Sequence, residues 1–200
     1  MKYNNWTLGQ VEAVFNKLGG DDGVRRFLAG ELVAKPVVRN WSAWKTIKLG
    51  TGIKDANDFR LAIKNAEMRI NDWANDIIGK PEFTVIARET EVDLVKVTVG
   101  DLGFKDGARR DQIYDRAKEL GLELCPPEVG PQLRLQYKDQ PLNEWILIGM
   151  EPIRHSDGDL NVFNVEHRGG GLWLDGDFDN PDDVWYADSR WVFVRPRKCQ

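Results

Sequence analysis

Residues 145–195, WILIGMEPIRHSDGDLNVFNVEHRGGGLWLDGDFDNPDDVWYADSRWVFVR, constrain the fold more than any other part of the chain. They hold four of the eight tryptophans and both histidines, and two turn signals punctuate them. Residues 145–151 are apolar on both faces, the pattern of a central, covered strand. Ser156-Asp157-Gly158-Asp159 is a hairpin turn of the Asp-Gly type, residues 160–167 return from it, and Arg168-Gly169-Gly170-Gly171 turns the chain again. Residues 190–195 form a last strand, which Pro196 ends. Such a stretch closes as an antiparallel β unit with an aromatic interior, and other segments have to cover it.

Those covering segments are helical and lie earlier. Residues 7–18 (TLGQVEAVFNKL) begin with Thr7 as N-cap and place Leu8, Val11, Val14 or Phe15 and Leu18 at helical spacing. Gly19-Gly20 stops that helix, and Asp21 or Asp22 caps a second over residues 23–29. Pro36 forbids helix across residues 33–39, while Val37-Val38 and residues 44–49 have strand composition. The longest helical signal runs over residues 55–78, with Phe59, Ile63, Ala66, Ile70, Trp73 and Ile77 on one seam. It reads as one helix, or as two broken near residues 68–70 with Asn71 capping the second. Residues 83–87, 92–99 and 132–137 read as strands, and residues 108–120 as a helix. The expected class is α+β: N-terminal helices and an antiparallel-rich C-terminal sheet with one helix packed on it. The expected division is a helical region over residues 1–80 and an α+β domain over 81–200, or one integrated domain.

Charge and motifs narrow the function by exclusion. The net charge of −4 leaves no basic footprint, so the two short helices with Arg25 and Arg26 read as a helical hairpin before they read as a duplex-DNA reader. The longest apolar run is too short for a bilayer, and the first residues show no secretory pattern, so a cytoplasmic protein is expected. Cys125 and Cys199 are far apart and read as free thiols. Asp175, Asp177 and Asp179 alternate as in a calcium loop, but Asn180 stands where glycine is needed and Tyr186 where the bidentate glutamate belongs. Nothing calls for a metal or a cofactor. The glycines at 169–171 form no phosphate loop, and no serine has a nucleophile-elbow context, so no catalytic residue is assigned.

The blocks LELCPPEVGPQLRLQY, WILIGMEPI and RWVFVRPRK together resemble a family of small uncharacterised bacterial proteins, for which KLGGDDGVRRFLAGELV is a frequent companion. The resemblance implies one recurring unit over most of the chain and carries no activity with it.

Aromatic and cationic residues close together make the remaining signal. Arg154, His167, Arg168, Trp173, Trp185, Tyr186, Arg190 and Trp191, with Trp145 beneath, offer stacking faces and phosphate-binding guanidinium groups. They point to a non-catalytic binding protein that captures or sequesters a nucleotide-like small molecule. Two other readings compete with it. One is a protein-interaction module or inhibitor using the acidic loop over residues 175–188. The other is a hydrolase or transferase using His155, His167 and Glu166.

Overall fold

The computed structural model describes residues 6–33 and 39–197, so Val37-Val38 and Cys199 lie outside the described residues. The chain divides into two compact units, residues 1–37 and 38–200. The smaller is a pair of helices, α1 (Leu8–Leu18) and α2 (Gly20–Leu28). Thr7 caps α1 in a box with Gln10: the Thr7 hydroxyl accepts from Gln10 N at 3.2 Å, and Gln10 Oε1 accepts from Thr7 N at 2.9 Å. Gly19, at φ 94°, ends α1 in the left-handed conformation that other residues adopt only with strain. No residue of α1 is buried, and only Gly23 of α2 is.

The larger unit begins with β1 (Lys45–Leu49), α3 (Ala56–Asn65), β2 (Arg69–Ile70) and α4 (Asp72–Ile77). The 55–78 signal is thus two helices, with Asn71 capping the second by accepting from Ala74 N at 2.8 Å. Next come β3 (Thr90–Thr98), β4 (Ala108–Arg109), α5 (Arg110–Glu119) and α6 (Val129–Gln136). The remainder is strand: β5 (Trp145–Ile148), β6 (Ile153–Arg154), β7 (Leu160–Arg168), β8 (Gly171–Phe178), β9 (Val184–Trp185) and β10 (Arg190–Arg195). No helix among the described residues is long and apolar enough to cross a membrane.

The fold is α+β, and its large sheet is mixed rather than purely antiparallel. Strand order is β1-β3-β10-β5-β7-β8-β2, with β6 also on β7, and β4 pairs with β9 separately. The β10–β5 and β2–β8 pairings are parallel. Residues 39–80 therefore do not belong to a separate helical region. They supply two strands and two helices to this unit, and four helices rather than one lie against or beside its sheet.

Cross-strand partners share a face, so the pairings sort the side chains. One face carries Ile146, Val165, Leu174 and Phe163, covered by α3, α4 and α6. Phe83 joins Phe59 to Phe163 there through two edge-to-face contacts. Gly176 lets α4 lie directly on β8, because a Cβ there would stand 2.8 Å from both Ala74 N and Trp73 Cβ. The opposite face carries Phe193, Trp191, Leu147, Trp145, Glu166, Trp173 and Asp175. Tyr114 of α5 meets Trp191 and Phe193 edge-on at 5.7 and 6.0 Å. Trp185 of β9 covers Trp191 at 5.2 Å. Each such aromatic pair adds about 0.5–1.5 kcal/mol beyond the area it buries.

Two expected strands are absent. Residues 132–137 lie in and just after α6, a helix buried nearly all round, which leaves no polar face to give the sequence a helical period. Pro131 sits in its first turn, where proline is tolerated. Residues 83–87 run as irregular chain whose backbone is met by a side chain instead of a ladder. The buried Glu128 carboxylate accepts from Ile86 N and from Gly50 N, each at 2.8 Å.

Candidate functional site

A cleft of about 460 Å³ opens at the β2–β8 edge. Its apolar floor is Ile63, Met68 and Ile70, and Arg60, Lys64, Arg69, Asp72, Asn75 and Trp173 complete the lining. Parallel pairing of Arg69 with Trp173 puts their side chains on the same face. The Arg69 guanidinium lies over the Trp173 ring at 5.2 Å from its centre, and Arg168 lies over the same ring at 4.3 Å.

The cations around this cleft differ in what already holds them. Arg60 is fully committed, donating to Asn75 Oδ1 (2.6 Å), Asn57 Oδ1 (2.8 Å) and Asn75 O (2.7 Å), which ties α3 to α4. Arg168 is neutralised by Glu166 at 2.6 Å and Asp175 at 2.9 Å. Lys64 and Arg69 make no ion pair and no side-chain hydrogen bond among the described residues. Trp173 Nε1 likewise has no acceptor. Donors and positive charge therefore exceed acceptors here, with Asp72 the one acid of the lining.

Trp173 is held from behind by Arg134, whose buried guanidinium donates to the carbonyls of Glu166 and Trp173, both at 3.4 Å, and to Tyr137 O. Burial with no carboxylate beside it brings Arg134 down to about 10.

A row of carboxylates continues from Trp173 along the same face: Glu166 on β7, then Asp175 and Asp177 on β8, with Asp179 just beyond its end. Asp179 is fully buried and pairs with Arg110 at 2.5 Å. Its Oδ1 and the Trp185 Nε1 both lack a hydrogen-bond partner, and burial pushes the carboxyl above its ordinary range against the opposing pull of Arg110 and the nearby indole. Asp177 has no cation partner among the described residues. Its one side-chain contact is Asn164 Nδ2 at 3.4 Å, and the Asn164 Oδ1 is unpartnered. Burial first, then the charges of Asp175, Asp179 and Glu166, push Asp177 up to about 7. These aspartates lie in and beside a strand rather than in a calcium loop, and no group among the described residues could hold a metal ion with three acid, histidine or cysteine ligands.

The anticipated site residues do not share one place. Trp173 lines the cleft and Arg168 stacks on it. Trp191 is completely buried and cannot meet a ligand, and Trp185 is packed between it and Trp145. Tyr186 is exposed on the chain after β9, and Arg190 points to the sheet face opposite Trp191. Arg154 closes its own turn by donating to Gly158 O. His167 lies on the sheet face opposite Glu166, with Nδ1 on Gln140 O at 2.6 Å.

The acid/base trio is likewise dispersed. His155 sits between Asp157 (2.8 Å) and Asp76 (3.7 Å) at the other end of β7 from His167. Seven strand rises separate residues 160 and 167, roughly 23 Å. Cys125 is buried with its thiol pushed up by desolvation, so it offers no thiolate. Of the acidic segment, Asp182, Asp183 and Asp188 are exposed, while Asp175 and Asp179 are buried.

Lys64 and Arg69 were not anticipated. They sit in the helical stretch before and at the chain break, and only a two-residue parallel pairing with a strand a hundred residues on brings them to Trp173. The one local sign is the break itself, where Glu67 takes φ 58°. Compared with known proteins, the chain matches no family profile, no curated protein and no solved structure.

Proposed function

We propose that the larger unit is a cytosolic, non-catalytic binding module for a small nucleotide-like molecule, seated in the cleft at the β2–β8 edge. The observation that carries this reading is Arg69, stacked on Trp173 and with no carboxylate partner among the described residues. A guanidinium fixed by stacking has lost most of its freedom before the ligand arrives, so little more is lost when it takes a phosphate. Lys64 supplies the second positive charge. Ile63, Met68 and Ile70 supply an apolar surface for a base. Among the described residues no nucleophile–base pair lines the cleft, which favours capture over turnover.

The test is calorimetry and thermal shift with adenosine, its monophosphate, its diphosphate and cyclic mononucleotides. Phosphate-bearing ligands bind and adenosine does not. Arg69→Ala loses a charge-assisted contact worth about 1.5–3 kcal/mol, a drop of roughly 10- to 150-fold in affinity. Absence of heat and of any melting shift with every phosphate-bearing ligand at millimolar concentration sinks the reading.

A further inference from the structure

The carboxylate row beyond Trp173 holds acceptors that the cleft does not use. Glu166, Asp175, Asp177 and Asp179 bring four carboxylates to one face, while Arg168 and Arg110 bring two guanidinium groups. The surplus acid is Asp177, which is partly exposed and so open to a cation from solvent.

Asn164 stands behind it. Its cross-strand partner is Asp175, so the amide shares the face of the row, and it is only 3% exposed. Its Nδ2 reaches Asp177 Oδ2 at a long 3.4 Å, and its Oδ1 has no hydrogen-bond partner. A buried acceptor left without a donor costs stability, which a ligand's N–H would restore. Turning the amide over gives up one long contact and brings Oδ1 to the Asp177 side, where carboxylate and carbonyl oxygens converge on a single donor group. Indoles wall the same place. Trp191, Leu147 and Asn164 stand abreast on β10, β5 and β7. Trp185, which covers Trp191, therefore flanks Asn164, and the Trp145 ring follows at 6.0 Å from it.

We propose that Asp177 and Asn164 bind a primary ammonium group whose alkyl chain packs along Trp185 and Trp145. An ammonium offers three N–H donors from one point charge: the carboxylate takes one, Asn164 Oδ1 another, and the third stays in water. The indoles suit the methylenes beside the charge. A metal ion suits the place less well. Asp175 and Asp179 are already paired with arginines, and no three acid, histidine or cysteine side chains among the described residues converge on one point. The same ammonium is carried by a free aliphatic amine and by a lysyl side chain. This site lies apart from the β2–β8 cleft and does not rest on the nucleotide reading.

Calorimetry and thermal shift of the full chain test it, with putrescine and N-acetyl-lysine amide as probes. They are run at about pH 8, where Asp177, which titrates at about 7, is ionised. At least one probe binds the wild type, and the tighter of the two names the source of the ammonium. Asp177→Asn folds, because the amide keeps the shape of the acid, and it weakens binding roughly tenfold or more. Asp182→Asn, which removes an exposed acid of the same segment, binds as the wild type does. Tetramethylammonium, a cation with no N–H, does not bind. No heat and no melting shift with either amine overturns the proposal. So does equal affinity in Asp177→Asn and the wild type, an equal loss in Asp182→Asn, or tetramethylammonium or calcium binding as tightly as the amine.

Discussion

Replacing Asp177 with asparagine should make the protein more stable at about pH 8 and leave it nearly unchanged at about pH 4. The side chain sits in the row formed with Glu166, Asp175 and Asp179, where Arg168 and Arg110 serve the other three and no cation among the described residues serves Asp177. Its carboxyl titrates at about 7 in the fold, against an ordinary 3.8. Between those values the folded state keeps a proton that the unfolded state releases, so stability falls as pH rises, and above about 7 the full cost is present. Three units at about 1.36 kcal/mol each give an upper bound of about 4 kcal/mol. The side chain keeps some contact with water, and screening lowers the expected gain in D177N to about 2–4 kcal/mol. The neutral amide matches the protonated acid in shape and removes the charge.

Urea denaturation at three pH values, followed by tryptophan fluorescence, measures the difference. Asp175 and Asp179 are also pushed up by burial and act with the same sign, so the difference between D177N and the wild type, rather than the wild-type curve, isolates Asp177; the acids held low act in a different window. Asp76, held at about 2 by Ser156 and Lys80, contributes stability that is present above its ordinary 3.8 and lost as pH falls through about 2. Asp93, held lower still by Arg195, acts in the same acid window with the same sign. An equal gain at both ends of the pH range, or none at about pH 8, would falsify the assignment of an uncompensated charge to Asp177.

Gly130→Ala should destabilise by about 1–3 kcal/mol, read as a lower urea midpoint, because the added Cβ would stand 2.7 Å from the Cβ, Cγ and Cδ2 of Phe163. Asn71→Ala should cost about 1–2 kcal/mol, since its Oδ1 caps α4 through Ala74 N and also accepts from Gly176 N at 3.1 Å. Because Asn71 follows β2 directly, the same variant should weaken the proposed nucleotide binding, and wild-type affinity in it would detach the cleft from that cap.

What could be read from residue order was local. The turns at Asp157-Gly158 and Gly169-Gly170 depend on neighbours alone, and both close where expected: Gly158 takes φ 103°, and Arg168 pairs with Gly171. The break before Asn71 was legible for the same reason. Residues 132–137 misled because Leu133, Arg134 and Gln132 are all buried, so polarity no longer marks an outside. The tryptophans misled differently. Alternation assigns Trp191 to a face, but only α5 and β9 decide which face is closed, and those elements reach it through Tyr114 and Trp185. Trp173 escapes that cover. Its neighbour Arg69 arrives by a pairing too short to leave any pattern.

The place of β10 in the sheet has a consequence for biogenesis. Last of the described strands in chain order, it lies between β3 and β5. While the nascent chain is shorter than residue 195, β3 and β5 lack the neighbour that joins them, and each shows an unpaired rim. Cotranslational pairing can build the β7–β8 hairpin and the β1–β3 ladder, but it cannot unite them. The larger unit therefore folds after its last strand is released, through contacts of high sequence separation, which makes it slow. Until then the half-built sheet keeps both rims open to pairing with other chains.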